Sequence, residues 1–314
     1  VTVGTADQKP VEITMMSEYF TVEEPSADNV VIRALEEHTG SKLNITWVPN
    51  AGYSDKVMSS ISANHLPQIL TVTASIKTPA IVNSLRNGMF WEVGPYLKDF
   101  PNLSKINPIV LNNLAIDGKN YALPRMRTIA REGIIYRQDW LENLGLERPE
   151  TIDEFYNMVR AFTFDDPDRN GVKDTYGVVE QKTLSGFGLF AAWFGAPNGW
   201  GLIDGKLVPD FTTPQYMDAL KFYRKLYEED LMNRDFAVTE GSKRDQEITG
   251  GKAGVIWNVL DNVINPKYTD VNKLFPEAKL DFIPRVEGPY GPRVFTWRGG
   301  YTGYFLFPKS VIPT

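Results

Sequence analysis

The chain has 314 residues, of which 42% are hydrophobic and 12% aromatic, enough to bury the cores of two domains. It carries 33 basic against 39 acidic residues, a formal net charge of −6 without blocks of one sign, which argues against a basic nucleic-acid face. It has no cysteine and two histidines, His38 and His65, which excludes a disulfide framework and a His-rich metal site and leaves little for a Ser-His-Asp hydrolase.

Val11 to Met16 reads as a first strand. Ser26 or Asp28 is expected to cap the helix through Val30, Val31, Ala34 and Leu35, which Gly40 ends. Leu43 to Val48 alternates as a second strand, and Ser54 or Asp55 is expected to open the next helix. After the Leu66-Pro67 turn, Gln68 to Val72 is a third strand, and Pro79 to Asn87 is helical. This βαβαβ run with short connections predicts a parallel sheet.

A change of tempo falls near Tyr121 to Arg125. Gly133 to Tyr136 reads as a strand, and Gln138 to Leu144 as a short helix that stops at Gly145. Thr151 and Glu154 have the spacing of a capping box for the following helix. Beyond an acidic loop come a strand from Tyr176 to Val179 and a helix from Gln215 to Glu229. Gly250 to Trp257 reads as a glycine turn into a buried strand, Lys279 to Pro284 as another, and a glycine-rich apolar segment runs from Gly299 to Phe307. The Gly250-Gly251-Lys252-Ala253-Gly254 cluster lacks the spacing of a phosphate loop and precedes a strand instead of following one. No apolar run approaches the ~18 residues of a membrane span, and Val1 to Pro10 reads as a polar arm with no visible signal sequence.

The acidic loop carries the most specific pattern. Counted from Asp166, oxygen-bearing side chains stand at loop positions 1, 3, 5 and 9, namely Asp166, Asp168, Asn170 and Asp174. Gly171 occupies the turn position and the Val172 carbonyl the main-chain ligand position. The bidentate Glu of a complete EF-hand loop is replaced by Gly177, and Thr175 is a candidate substitute ligand. Hard oxygen donors point to a structural Ca²⁺. The plainer alternative is a loop of Asx turns joining a helix to a strand. A weak Ca²⁺ site of this kind fills outside a cell, so the expected location is extracellular.

The order of landmarks resembles the extracellular solute-binding proteins of bacterial ABC importers, in particular the lipoprotein-type group related to alginate-oligosaccharide binding proteins. The residues that carry the resemblance are Asn64 to Ile69, Tyr121 to Arg125, Tyr136 to Gly145, Thr151 to Phe155, Asp166 to Gly177, Phe194 to Asn198 and Gly251 to Gly254, so it spans nearly the whole chain. Asn64, His65 and Gln68 depart from the family's usual Gly, Asp and Asp, and Thr175 from its usual Glu. The resemblance implies an α/β, two-lobed periplasmic-binding-protein-like fold with lobes joined by a hinge. One lobe would hold residues 1–124 with 302–314 returning to it, and the other residues 125–301 with the calcium loop. It implies a non-enzymatic receptor that holds a saccharide in an interlobe cleft and delivers it to importer permease subunits. That receptor would act as a monomer, lipid-anchored at the outer face of the membrane in its full precursor. Relatives continue past a segment like Phe305 to Ser310, so a chain ending at Thr314 is expected to be a shortened form with an incomplete cleft.

Sugars are held by aromatic faces and planar polar groups, and ligands of open α/β sheets sit beyond the carboxyl ends of strands. Glu18 and Tyr19 after the first strand and Tyr53 after the second are therefore candidates. So are Arg125 and Arg127 after the first crossing, Trp193 before the Phe194-Gly195 turn, Trp257 and Asn258 at a strand end, and Trp297, Arg298 and Tyr301 at the second crossing. Against each stands a core or ion-pair role. Trp47, Trp91, Trp140 and Trp200 are expected to pack. Two other readings remain open here. One is a receptor for a peptide or organic anion, favoured by Arg125, Arg127 and Arg298. The other is a glycoside hydrolase, for which no carboxylate pair is nominated.

Overall fold

In the computed structural model, which describes residues 10–20, 23–73, 75, 77–128, 130–264, 268, 270–292 and 298–311, the chain forms two α/β units. Their boundaries fall between Ile129 and Ala130 and between Trp297 and Arg298.

The first unit begins with β1 (Val11–Tyr19), α1 (Val30–Thr39), β2 (Ser41–Pro49), α2 (Asn50–Ser62), β3 (Ile69–Val72), α3 (Pro79–Arg86), α4 (Pro108–Leu114) and β4 (Ala122–Met126). The second contains β5 (Glu132–Arg137), α5 (Gln138–Leu144), α6 (Ile152–Phe164), β6 (Tyr176–Val179), α7 (Phe187–Trp193), the hairpin of β7 (Trp200–Ile203) and β8 (Lys206–Pro209), and α8 (Pro214–Glu228). It continues with α9 (Gly241–Thr249), β9 (Ala253–Val259), α10 (Val271–Leu274), β10 (Leu280–Ile283) and the two-residue strands β11 (Glu287–Gly288) and β12 (Gly291–Pro292). The last strand, β13 (Tyr301–Leu306), belongs to the first unit.

Local signals explain several boundaries. The Asn29 side chain accepts from the Val31 amide at 2.9 Å, so Asn29 caps α1 in place of the expected Ser26 or Asp28. Gly40 and Gly145 end α1 and α5 at φ 65°, a left-handed conformation that glycine adopts without penalty. The Thr151–Glu154 box forms in both directions, at 3.2 and 3.0 Å. By contrast, α2 starts at Asn50, four residues before the expected Ser54.

The first sheet has strand order β2-β1-β3-β13-β4, with β1 parallel to β2 and β3, and β13 antiparallel to β3 and β4. Leu70, Val72, Val57, Ile81, Phe90, Tyr304 and Leu306 form the heart of its core. The second sheet has order β10-β5-β9-β6, with only β6 and β9 parallel. Its core is dense in aromatic rings, including Trp140, Phe155, Phe162, Phe190 and Trp193. Among the described residues no helix is long and apolar enough to cross a membrane.

The unit boundaries differ from those expected at residues 124/125 and 301/302. Pairing of Tyr301 with Met126 extends the first sheet on both of its last two strands. Arg125, Arg127 and Tyr301 therefore belong to the first unit, not the second.

Candidate functional site

In the first unit, the carboxyl ends of β1, β2 and β3 and the start of antiparallel β13 meet at one edge of the sheet. An open cavity of about 740 Å³ lies at this edge. Ser54, Thr73, Ser75, Lys77, Asn113 and Thr302 supply its polar wall, with Tyr301 as the aromatic member. Gly299, at φ 69°, admits the Asn113 amide, whose nitrogen lies 2.6 Å from where a Cβ would stand. Gly303 lets β13 approach β3, since a Cβ there would sit 2.7 Å from the Val72 carbonyl oxygen. The Thr302 hydroxyl is buried and has no hydrogen-bond partner. The cavity therefore offers hydroxyl, amide and ammonium groups, a set suited to a hydroxylated solute.

The candidates from the first unit divide between this edge and the core. Glu18 at the end of β1 accepts from Arg125 at 3.0 Å and from Asn50 at 2.7 Å, so Glu18 and Arg125 neutralise each other. Tyr19 is the half-buried last residue of β1. Tyr53 is a correction. It is 1% exposed, and its hydroxyl sits 2.6 Å from the Thr71 carbonyl and 3.1 Å from that of Met16. Burial, and secondarily the charge of Glu18, push its pKa up. Because α2 begins early, Tyr53 points into the sheet while Ser54, one residue on, lines the cavity. The exposed Arg127 side chain donates weakly to the Met126 carbonyl at 3.4 Å, and its amide donates to Gly300 at 2.9 Å. Trp297 and the Arg298 side chain lie outside the described residues.

The second unit corrects two further candidates. Trp193 is fully buried, with Phe190 and Phe155 at 5.2 and 5.9 Å. Trp257 is 4% exposed, edge-on to Phe190 at 4.5 Å and flanked by Phe155 and Tyr223. Gly186 lies flat against it, since a Cβ there would come within 2.1 Å of the indole. Neither ring offers a face to a solute, because neighbouring aromatics already cover it. Asn258 is engaged inside its unit. It donates to the Tyr268 hydroxyl and accepts from the Val259 amide at 2.8 Å and from Asn262 at 2.9 Å.

The loop after β6 is held from beneath by a residue absent from the expected set. Glu180, fully buried, accepts from the Gln181 amide at 2.7 Å, the Gly186 amide at 3.0 Å and the Tyr223 hydroxyl. That carboxylate ties both ends of the 181–186 loop at the carboxyl edge of the second sheet. Two tryptophans expected to pack are exposed, Trp91 at 45% and Trp200 at 65%. Trp91 lines a largely apolar cavity of about 580 Å³ that also touches Val11 and Ile13, near the amino end of β1. Its wall offers few groups for a sugar.

In the acidic loop, the Asp166 oxygens accept from the amides of Asn170 and Gly171, both at 3.1 Å. The Asn170 side chain donates to Asp168 at 2.8 Å and to Asp174 at 3.4 Å, which draws these residues together. Asp168 Oδ1 is buried without a partner. Burial and, behind it, the charges of Asp174 and Asp166 hold the Asp168 carboxyl above its usual range. A hard cation at this point would relieve the penalty on Asp168, and the oxygen donors are of the chemical type that Ca²⁺ takes. Among the described residues no three such side chains stand together closely enough to grip an ion, and Asp174 is paired with Lys252 at 2.5 Å. Thr175 is a correction, because its buried hydroxyl donates to the Phe162 carbonyl at 2.9 Å, away from the loop's acids. Val172 is exposed.

The cavity residues Ser54, Thr73, Ser75, Lys77, Asn113 and Thr302 escaped the sequence reading. The strand-end rule that nominated Glu18 would have found Thr73, Ser75 and Lys77 had it been applied after β3.

Residues 21–312 match the family of bacterial extracellular solute-binding proteins, and the chain belongs to it. The chain is 39% identical over 313 residues to lipoprotein LipO of Bacillus subtilis, covering 96% of this chain and 61% of that protein. It is also 39% identical over 294 residues to the polygalacturonan/rhamnogalacturonan-binding protein YtcQ of the same organism, covering 93% and 58%. The chain thus spans about three-fifths of the length of these relatives. Its fold matches that of the Streptococcus pneumoniae ABC-transporter substrate-binding protein FusA, solved as an EF-hand mutant in complex with fructo-nystose. That match has a TM-score of 0.71 at 21% identity, covering 95% of this chain and 64% of that one.

Proposed function

We propose that the protein is an extracellular receptor that captures a saccharide and delivers it to the permease subunits of a bacterial ABC importer. The observation that carries this reading is the cavity at the carboxyl edge of the first sheet, which hydroxyl, amide and ammonium groups line. Sugar hydroxyls complement such groups, and Tyr301 supplies an aromatic face. Membership of the solute-binding family supports a receptor in preference to a glycoside-active enzyme. The name of YtcQ and the fructo-nystose bound to FusA support the same solute class. The protein works as a monomer at the outer face of the membrane, and the name of LipO supports a lipid anchor in the full precursor.

The acidic loop holds a structural Ca²⁺ through Asp166, Asp168, Asn170, Asp174 and the Val172 carbonyl. Bound there, the ion clips the end of α6 to the start of β6. The buried, unpartnered Asp168 oxygen supports this assignment, as does the EF-hand named for FusA.

The test is a thermal-shift screen of oligosaccharides and peptides, followed by product analysis of every stabilising compound. Stabilisation by saccharides recovered intact is expected. Stabilisation by peptides alone, or release of cleaved sugar, would overturn the assignment.

A further inference from the structure

Resting on the saccharide reading, we propose that Leu184, in the 181–186 loop of the second unit, packs its aliphatic side chain against a sugar ring, and that the buried Glu180 is the positioning residue of that loop. The loop leaves the carboxyl ends of the parallel strands β6 and β9, the side of a sheet on which α/β proteins place their solutes. Its backbone is strained at Leu184, where φ is 49°. Of the seven non-glycine residues described with positive φ, five are Asn or Asp, whose short polar side chains tolerate it, and Leu184 is the one with an apolar side chain.

Strain of this kind persists only where the surroundings impose it, and it gathers at sites that clamp a ligand. The Leu184 amide donates to the Gln181 carbonyl at 2.9 Å, and its carbonyl accepts from the Phe187 amide at 3.0 Å. Glu180 stands behind that turn. Its carboxylate accepts from the Gln181 and Gly186 amides at 2.7 and 3.0 Å, from the Ser185 hydroxyl at 3.3 Å and from the Tyr223 hydroxyl. All four donors are neutral, so a charge is buried here at a cost that an apolar side chain would not incur. Arg244 holds the loop from its other side, donating to Ser185 at 3.2 Å.

The polar side chains of the loop are engaged within the unit. Gln181 donates to Thr183 at 2.9 Å, Lys182 pairs with Glu240, and Ser185 lies between Glu180 and Arg244. Leu184, 39% exposed, is what the loop offers outward. The C–H face of a sugar ring gains by covering such a surface. A loop fixed in shape beforehand loses little conformational entropy on capture, and this is the return for the strain and the buried carboxylate.

The experiment titrates kestose, maltotriose and trigalacturonate into wild type and variants by calorimetry, below the melting temperature of each variant, and follows the saccharide that binds wild type most tightly. Leu184→Gly removes the side chain and relieves the strain together, so it should melt within about 2 °C of wild type. Its Kd should nevertheless rise about tenfold, the size of one lost apolar contact. Leu184→Met, which keeps an apolar side chain, should stay within about twofold of wild type. Glu180→Gln should also bind about tenfold more weakly. Because Glu180 acts through Leu184, the double variant Glu180→Gln/Leu184→Gly should bind no more weakly than either single one. Wild-type affinity in Leu184→Gly, or losses that multiply in the double variant, would overturn the inference and leave saccharide binding standing. Absence of heat from all three sugars in wild type would overturn it together with the reading on which it rests.

Discussion

Replacing Trp257 by alanine separates a core ring from a sugar platform. The indole is 4% exposed and packs against Phe190, Phe155, Tyr223 and the backbone of Gly186. Truncating a buried aromatic of this kind costs ~3–5 kcal/mol, because the lost transfer energy is compounded by the cavity left behind. Loss of the edge-on contact with Phe190 contributes about 0.5–1.5 kcal/mol of that. For a unit of this size each kcal/mol lowers the melting temperature by roughly 2–4 °C, so the second unit should melt about 6–20 °C lower. Trp257→Phe refills most of the volume and should show less than half the drop. The assay is a calorimetric melt paired with a saccharide titration at a temperature where both variants are folded. Saccharide affinity should stay close to wild type in Trp257→Phe. Near-native melting of Trp257→Ala with binding abolished would refute the argument and restore Trp257 as a platform.

Other consequences follow from the same geometry. Chelator treatment should lower the melting temperature, and ~1 mM Ca²⁺ should restore it by about 1–2 kcal/mol for a site with Kd near ~10⁻⁴ M. Asp168→Ala should melt identically with and without the ion, and a wild type indifferent to chelator would remove the Ca²⁺ assignment. Glu180→Gln places an amide against the N–H donors of Gln181 and Gly186, at a cost of about 2–3 kcal/mol. Hydrogen exchange of the 181–186 amides should quicken in that variant, and unchanged protection there would show that Glu180 does not hold the loop. Acid should destabilise both units gradually. Glu36, held low by the Leu43 amide, Asp117 by Arg86, Glu142 by Lys279 and Glu154 by the Glu150 and Thr151 amides all have lowered pKa values when folded. Stability from a lowered carboxyl is complete above its unfolded pKa and is lost as pH falls through the folded one. Melting temperature should therefore fall as the pH drops through and below the ordinary carboxylate range, and a flat profile there would contradict these pairings.

Features that depend on neighbouring residues were legible in the sequence. Gly40 and Gly145 stop helices because of their own backbone freedom, and the Thr151–Glu154 box closes within four residues. The parallel start β1-α1-β2-α2-β3 followed from alternation and short connections. Features set by distant partners were not legible. The end of the first unit is fixed by Tyr301 pairing with Met126, far along the chain, so the boundary read near residue 124 fell early. The start of α2 at Asn50 carries no side-chain cap, and the more conventional signal at Ser54 misdirected the reading by one turn. That turn decides whether Tyr53 or Ser54 meets solvent. Trp193 and Trp257 resemble platforms in sequence, and only the rings gathered around them reveal a core. Thr175 follows the acidic spacing, but the open Phe162 carbonyl at the end of α6 claims its hydroxyl.

The central claim is capture of a saccharide without chemistry on it. Its most direct test is calorimetric titration of oligosaccharides into the protein, with chromatography of the sugar recovered from the same cell. The account predicts saturable heat from at least one oligosaccharide and its recovery intact, with the heat lost in Asn113→Leu/Thr302→Val protein that melts like wild type. Cleaved sugar, or full binding by that double variant, would contradict it.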